Sequence, residues 1–155
     1  MTCKHKIRDD VLKVRSGCNN AGSSLLPALH TTQQNMGWLS NESLTIVADT
    51  LGLPAARIKG VATFYSMLDM KPTGRHIIRL CTNIACMIMG ADRFIDILRD
   101  RYDLLPGSAT KDGRFSLCIM ECIGSCGTAP AMLVNNDFYH GLTADTLTEI
   151  LDRYE

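Results

Sequence analysis

Two cysteine pairs constrain this chain more than any other feature. They are Cys81-x4-Cys86, in CTNIAC, and Cys122-x3-Cys126, in CIGSC, with 35 residues between them. Each pair follows an apolar, strand-like run: His76 to Leu80 before the first, Phe115 to Met120 before the second. Each also stands among small residues, Ala85 and Gly90 in one case, Gly124 and Gly127 in the other. Two thiol pairs presented on loops at strand ends point to a metal centre with four thiolate ligands. The rest of the chain then reads as its scaffold and docking surface.

Composition narrows the setting. A chain of 155 residues suggests one domain, or a small domain with an appendage, and 46% hydrophobic content is enough for a real core. The formal net charge is zero and there is no basic stripe. That argues against nucleic acid as the main partner, because phosphate binding needs clustered Lys and Arg. No apolar run approaches the roughly 18–20 residues that span a bilayer. The N-terminal MTCKHKIRDD is charged and lacks the apolar segment of a secretory signal. The expectation is a soluble protein without a membrane span, in the cytoplasm or on the cytoplasmic face of a larger assembly. Seven cysteines is an odd number, and in a reducing compartment clustered cysteines are more often metal ligands or catalytic groups than disulfides. Cys3, Cys18 and Cys118 lack a paired spacing and read as a frayed terminus, a loop thiol and a strand position.

Hydrophobic period divides the chain. Residues 7–16 read as a short amphipathic helix carrying Ile7, Val11 and Val14, followed by a GCNNAG loop. Ser23 or Ser24 can cap a helix over residues 24–36, with Pro27 in its first turn. Ser40 caps the next, which runs to Gly52 with Leu44, Val47, Ala48 and Leu51 on one face. Pro54 opens a helix PAARIKG, and a separate segment VATFYSML follows. Residues 1–73 thus form an N-terminal helical extension, ending at Lys71-Pro72-Thr73-Gly74.

Residues 74–155 change character. Strands are expected at 76–80 and 115–120 with a helix over 88–102 between them. A hairpin follows at 131–134 and 138–140, turned by Asn135-Asn136-Asp137, residues that tolerate positive φ. Thr143 caps a last helix over 144–153. Strand, helix, strand, hairpin strand and helix suggest an α/β layer with helices against a mixed sheet.

Four thiolates can hold more than one metal group. A [2Fe–2S] cluster needs two thiolates on each of two irons, which two separate pairs supply naturally. Small residues beside the cysteines let backbone amides approach the sulfurs. Structural zinc also takes four thiolates, though its commoner knuckle is Cys-x2-Cys. Redox thiols are a third reading, weakened because no Cys-x2-Cys pair is present. Nothing else proposes catalysis: His5, His30, His76 and His140 show no ligand spacing, and there is no Gly-x-Gly-x-x-Gly or P-loop. Met67, Met70, Met87, Met89, Met120 and Met132 read first as core filling. Met87-Ile88-Met89, beside the first cysteine pair, is also a candidate partner contact.

The contexts CTNIACMIMGA and ECIGSCGTAPAMLVNN, with GVATFYSM, GRHIIRLC, DGRFSL and the YHGLT tail, resemble the 24-kDa-type [2Fe–2S] subunit of respiratory NADH dehydrogenase. The resemblance covers about residues 40–155, and the helical N-terminus fits more loosely. It implies a thioredoxin-like ferredoxin domain with an N-terminal helical bundle. It implies one [2Fe–2S] cluster on Cys81, Cys86, Cys122 and Cys126. It also implies a larger flavoprotein partner that binds FMN and NADH and carries a [4Fe–4S] cluster, together with further iron–sulfur subunits. The same module occurs in NAD-linked hydrogenases, some of them electron-bifurcating, and in formate dehydrogenases; the strand contexts here lean toward the respiratory type. The chain is expected to have no catalytic residue and no substrate site of its own. In thioredoxin-like folds a proline preceding a strand, as Pro130 does, is often cis.

Overall fold

The computed structural model describes residues 3–155, with side chains from residue 4 onward. The reading of Cys3 as a frayed terminus therefore falls outside the described side chains. The chain divides into two compact units, Met1–Pro72 and Thr73–Glu155.

The first unit holds four helices: α1 Cys3–Ser16, α2 Ala21–Met36, α3 Asn41–Leu51 and α4 Ala55–Phe64. Their apolar stripes meet in one core built on Val11, Leu29, Leu39, Val47 and Ile58, all fully buried. Helix α2 starts earlier than the hydroxyl residues suggest. Asn20 is the cap: its Oδ1 accepts from Ser23 N–H at 2.9 Å, and Ser23 Oγ accepts from Asn20 N–H at 3.2 Å. This reciprocal box takes two orphan amides and leaves Ser23 in the third helical position. Pro27 consequently lies inside the helix, on its exposed side, and not in the first turn.

Helix α3 has the expected ends, with Ser40 Oγ accepting from Ser43 N–H at 3.0 Å and Gly52 left-handed at φ 64°. The two segments expected after Pro54 are one helix. An interior glycine costs only about 1 kcal/mol, and burial of Ile58 and Ala62 on either side of Gly60 holds the helix through it. It stops at Phe64, where Tyr65 turns extended. Gln33 then pins the following loop, accepting from Asp69 N–H at 2.7 Å and donating to Met67 O at 2.9 Å.

The second unit is a four-stranded sheet in the order β2-β1-β3-β4. The strands are β1 His76–Cys81, β2 Phe115–Met120, β3 Ala131–Val134 and β4 Asp137–His140. β1 pairs parallel with β2 and antiparallel with β3, and β3 and β4 form the hairpin. The register lines up core side chains across three strands: Leu117, Ile78 and Val134 in one row, Ile119, Leu80 and Met132 in the next. Two helices numbered α6 (Ala91–Tyr102) and α7 (Ala144–Leu151) close this core with Phe94, Leu98, Leu147 and Leu151. Each such fully buried side chain is worth about 1.5–3 kcal/mol relative to exposure.

The helix expected over residues 88–102 is in fact two. A short α5, Ile84–Ile88, begins inside the first cysteine loop, and Gly90 at φ 91° separates it from α6. Gly74 does more than punctuate a boundary. A β-carbon there would sit 2.7 Å from the backbone carbon of Phe115, while its N–H donates to buried Ser116 Oγ at 2.6 Å. The Ala129–Pro130 peptide is cis.

Candidate metal centre

The parallel pairing of β1 and β2 decides where the cysteines go. The ladder runs in register from His76 opposite Phe115 to Cys81 opposite Met120. Both strands therefore release their chains at the same end of the sheet. Cys81 is the last residue of β1 and Cys86 lies on α5. Cys122 follows β2 by two residues, and Cys126 opens a 3-10 turn, Cys126–Thr128. Thr82 N–H donates to Met120 O at 3.0 Å and ties the two loop entrances together.

The four thiols meet. Cys122 Sγ lies 3.8 Å from Cys126 Sγ. Cys86 and Cys122 are near enough to Cys81 to help lower its pKa. Two thiolates on one tetrahedral metal with bonds of about 2.3 Å stand about 3.8 Å apart, so the second pair already has the spacing of ligands on a shared metal. Among the described residues, no group of three or more His, Cys, Asp or Glu side chains is set to hold a single metal ion. Two thiol pairs at one sheet end can supply two irons with two thiolates each.

The pairs differ in burial. Cys81 and Cys86 are each 2% exposed and pack with buried Ala91 and half-buried Ile123 and Ala129. Cys122 and Cys126 are exposed. Burial pushes the Cys81 thiol up, but amide donors from Asn83 and Ile123, with help from the Cys86 and Cys122 thiols, outweigh it and bring the Cys81 pKa below its ordinary value. Cys86 is pushed up by burial and by Cys81 beside it. Cys126 is pushed up by the hydrogen bond and charge of Cys122. Four thiolates crowded together repel one another, so a bound cation stabilises them, and metal binding releases their protons. The donor set fits an iron–sulfur group.

The other sequence candidates scatter. Cys18 sits half-buried in the turn after α1, and Cys118 is half-buried on β2. His5 and His140 are exposed on α1 and β4, and His30 is half-buried on α2. His76 bonds Glu155 O and Asn135. The methionines divide. Met132 is fully buried, but Met67, Met87 and Met89 are 43%, 43% and 59% exposed, so core filling is wrong for these three. Around Cys86, α5 presents Ile84 and Ile88, 74% and 78% exposed, beside Met87 and Met89. Sequence reasoning passes over Ile84, because its role depends on α5 beginning inside the cysteine loop. It also misses the sulfur-facing amides of Asn83, Ile123, Gly124 and Ala131 as individuals. Gly124 is their one visible signal.

The family described as thioredoxin-like [2Fe-2S] ferredoxin matches residues 11–155. The chain belongs to this family. Membership makes the protein a [2Fe–2S] electron carrier of thioredoxin-like fold. Among its relatives is the E-subunit of NADH-quinone oxidoreductase from Salmonella typhimurium, 38% identical over 130 residues, covering 84% of this chain and 78% of that protein. The Escherichia coli K12 protein of the same name matches with the same identity and coverage. The Aquifex aeolicus one is 37% identical over 131 residues, covering 84% of this chain and 82% of its own length. Among solved structures, an NAD+-reducing [NiFe]-hydrogenase in the air-oxidized state superposes with a TM-score of 0.73 at 25% identity. That match covers 84% of this chain but only 22% of the hydrogenase chain.

Proposed function

We propose that this chain is the small electron-transfer subunit of an NADH:quinone-oxidoreductase-like complex. One [2Fe–2S] cluster sits on Cys81, Cys86, Cys122 and Cys126 and exchanges single electrons with the flavin of a larger NADH-oxidising subunit. The observation that carries the reading is the meeting of two thiol pairs at one sheet end. The relatives named as a component of NADH-quinone oxidoreductase supply the context of a complex.

When bound, the cluster supplies a one-electron acceptor that needs no bond chemistry. The chain's residues do the rest. Cys81 and Cys86 would hold the inner iron in an apolar pocket with Ala91, while Cys122 and Cys126 would hold the outer one at the surface. Ile84, Met87, Ile88 and Met89 form an apolar surface beside the site, of a kind that marks a contact. We assign it to the flavoprotein partner, which holds FMN, NADH and a [4Fe–4S] cluster. Residues 1–73, the helical extension, add docking surface for the complex, and residues 74–155 carry the cluster. Among the described residues, no helix is long and apolar enough to cross a membrane. We place the chain in the cytoplasm, reaching a membrane only through its complex.

A second reading places the same module in an NAD-linked hydrogenase, favoured by the likeness to the NAD+-reducing enzyme. Iron and sulfide reconstitution tests the common core. The loaded protein should be coloured and, once reduced by dithionite, give an EPR signal. Cys81→Ala, Cys86→Ala, Cys122→Ala and Cys126→Ala should each lose it, while Cys18→Ala and Cys118→Ala keep it. A colourless protein that binds one zinc overturns the reading, as does NADH oxidation by the isolated chain. Co-purification with a flavoprotein alone, or with hydrogenase subunits, separates the two assemblies.

A further inference from the structure

Gly124 stands at φ +83°, in the left-handed region, yet a β-carbon built on it meets nothing within 4 Å. Crowding is therefore not what requires glycine there. What its backbone does is aim amides. Gly124 N–H donates to Cys122 Sγ at 3.4 Å. The preceding amide, of Ile123, acts on Cys81 of the other pair, helping to lower its pKa, so two consecutive N–H groups serve sulfurs of different pairs, one buried and one exposed. Successive amides converging in a turn form a concavity that favours negative charge.

We propose that the Ile123–Gly124 amide pair sets how readily the site accepts an electron, with Gly124 as its positioning residue. The proposal rests on the [2Fe–2S] reading and names the part of this chain that tunes it. Reduction of a bound cluster would turn one ferric iron ferrous and add one negative charge to a site whose thiolate ligands are already anionic. N–H dipoles aimed at those sulfurs favour the more negative state, and hydrogen bonds to sulfur are among the levers on such potentials. Glycine holds φ +83° without strain, and asparagine tolerates that region far better than alanine does. The open space at the β-carbon admits either substitution. Alanine should draw the loop toward negative φ and turn the two peptide planes away from the sulfurs.

The experiment is an EPR-monitored redox titration of the cluster-loaded full chain and of Gly124→Ala and Gly124→Asn. In Gly124→Ala the reduced-to-oxidised ratio at a fixed potential should fall about tenfold, which is 59 mV for one electron. Gly124→Asn should stay within about threefold of the parent. Pulsed EPR of the reduced parent, labelled with 15N at glycine and isoleucine, should show couplings from both amides, and this arm decides the matter if Gly124→Ala does not load. An unchanged potential in Gly124→Ala, equal shifts in both variants, or absent 15N couplings would each overturn the proposal. A parent that shows no cluster signal at all refutes the underlying [2Fe–2S] reading instead.

Discussion

Asn135 bonds the imidazole of His76 across 3.0 Å, side-chain amide to Nδ1, from a left-handed backbone at φ 57°. The orientation of that amide is set on its other side, where Oδ1 accepts from Ile77 N–H at 2.9 Å. Nitrogen therefore faces His76, Nδ1 is the acceptor, and Nε2–H donates to Glu155 O at 2.9 Å. One residue thus makes the hairpin turn, holds β1, and fixes a histidine tautomer that reaches residue 155. Asn135→Gly keeps the backbone and loses the side-chain bonds, so it should cost about 1–2 kcal/mol. Asn135→Ala should cost about 1 kcal/mol more, because alanine is strained at positive φ. Urea denaturation of the loaded chain measures both; equal losses would show that the backbone conformation contributes nothing.

Gly74 should tolerate no side chain. Its β-carbon would overlap the Phe115 backbone, which cannot move without disturbing the β2 ladder. Gly74→Ala is expected to destabilise the chain by about 2–3 kcal/mol, the upper range of overpacking. A thermal midpoint within a degree of the parent's would contradict this.

Tyr154 should make stability fall at alkaline pH. Burial first, then its hydrogen bonds to Asp137 (2.6 Å) and Tyr139 (2.7 Å), push its pKa well above the usual 10.0. Tyr102 is raised as well, by burial and the nearby Asp152. A phenol whose pKa is raised on folding holds its proton longer folded than unfolded. Its stabilisation is complete below the unfolded value and is lost as pH rises above about 10. Denaturation midpoints taken between pH 8 and 11 should decline, and Tyr154→Phe should flatten the decline. A slope unchanged in Tyr154→Phe would assign the effect elsewhere.

Ile88→Lys should separate docking from folding. The side chain is 78% exposed, so stability should change by no more than about 0.5 kcal/mol and the cluster spectrum should be unaltered. Binding to the flavoprotein partner should weaken at least tenfold in a pull-down or by calorimetry. Undiminished binding would move the contact surface away from α5.

Elements with two independent markers are legible in the sequence. Helix α3 carries a serine cap, an apolar stripe and a terminal glycine, and its ends stand where those residues put them. The strands β1 and β2 are visible as apolar runs before cysteines, and the family is readable from their contexts. What escapes depends on choices among equivalent residues or on distance. Asn20 competes with Ser23 and Ser24 for the same cap, and only the folded chain shows Ser23 returning its hydroxyl to Asn20. Gly60 and Gly90 look alike in sequence, yet one lies inside a helix and the other ends one, because burial beside Gly60 outweighs its propensity. Met87 and Met89 face outward because α5 is too short to have a buried face beyond Cys86.

The matched ladder of β1 and β2 acts as a gauge for the chain's length. Advancing either strand by one residue would shift its cysteine loop by about 3.3 Å and turn its core side chains to the opposite face. A displacement of that size approaches the 3.8 Å between Cys122 and Cys126. Six residues from His76 to Cys81 and six from Phe115 to Met120 are thus a fixed measure. The 105–113 segment shares that duty, since Gly107 N–H donates to Leu117 O at 2.7 Å and Leu117 N–H to Ser108 O at 3.1 Å along the outer side of β2. Insertions and deletions should be tolerated neither there nor along the two runs that lead to the thiols.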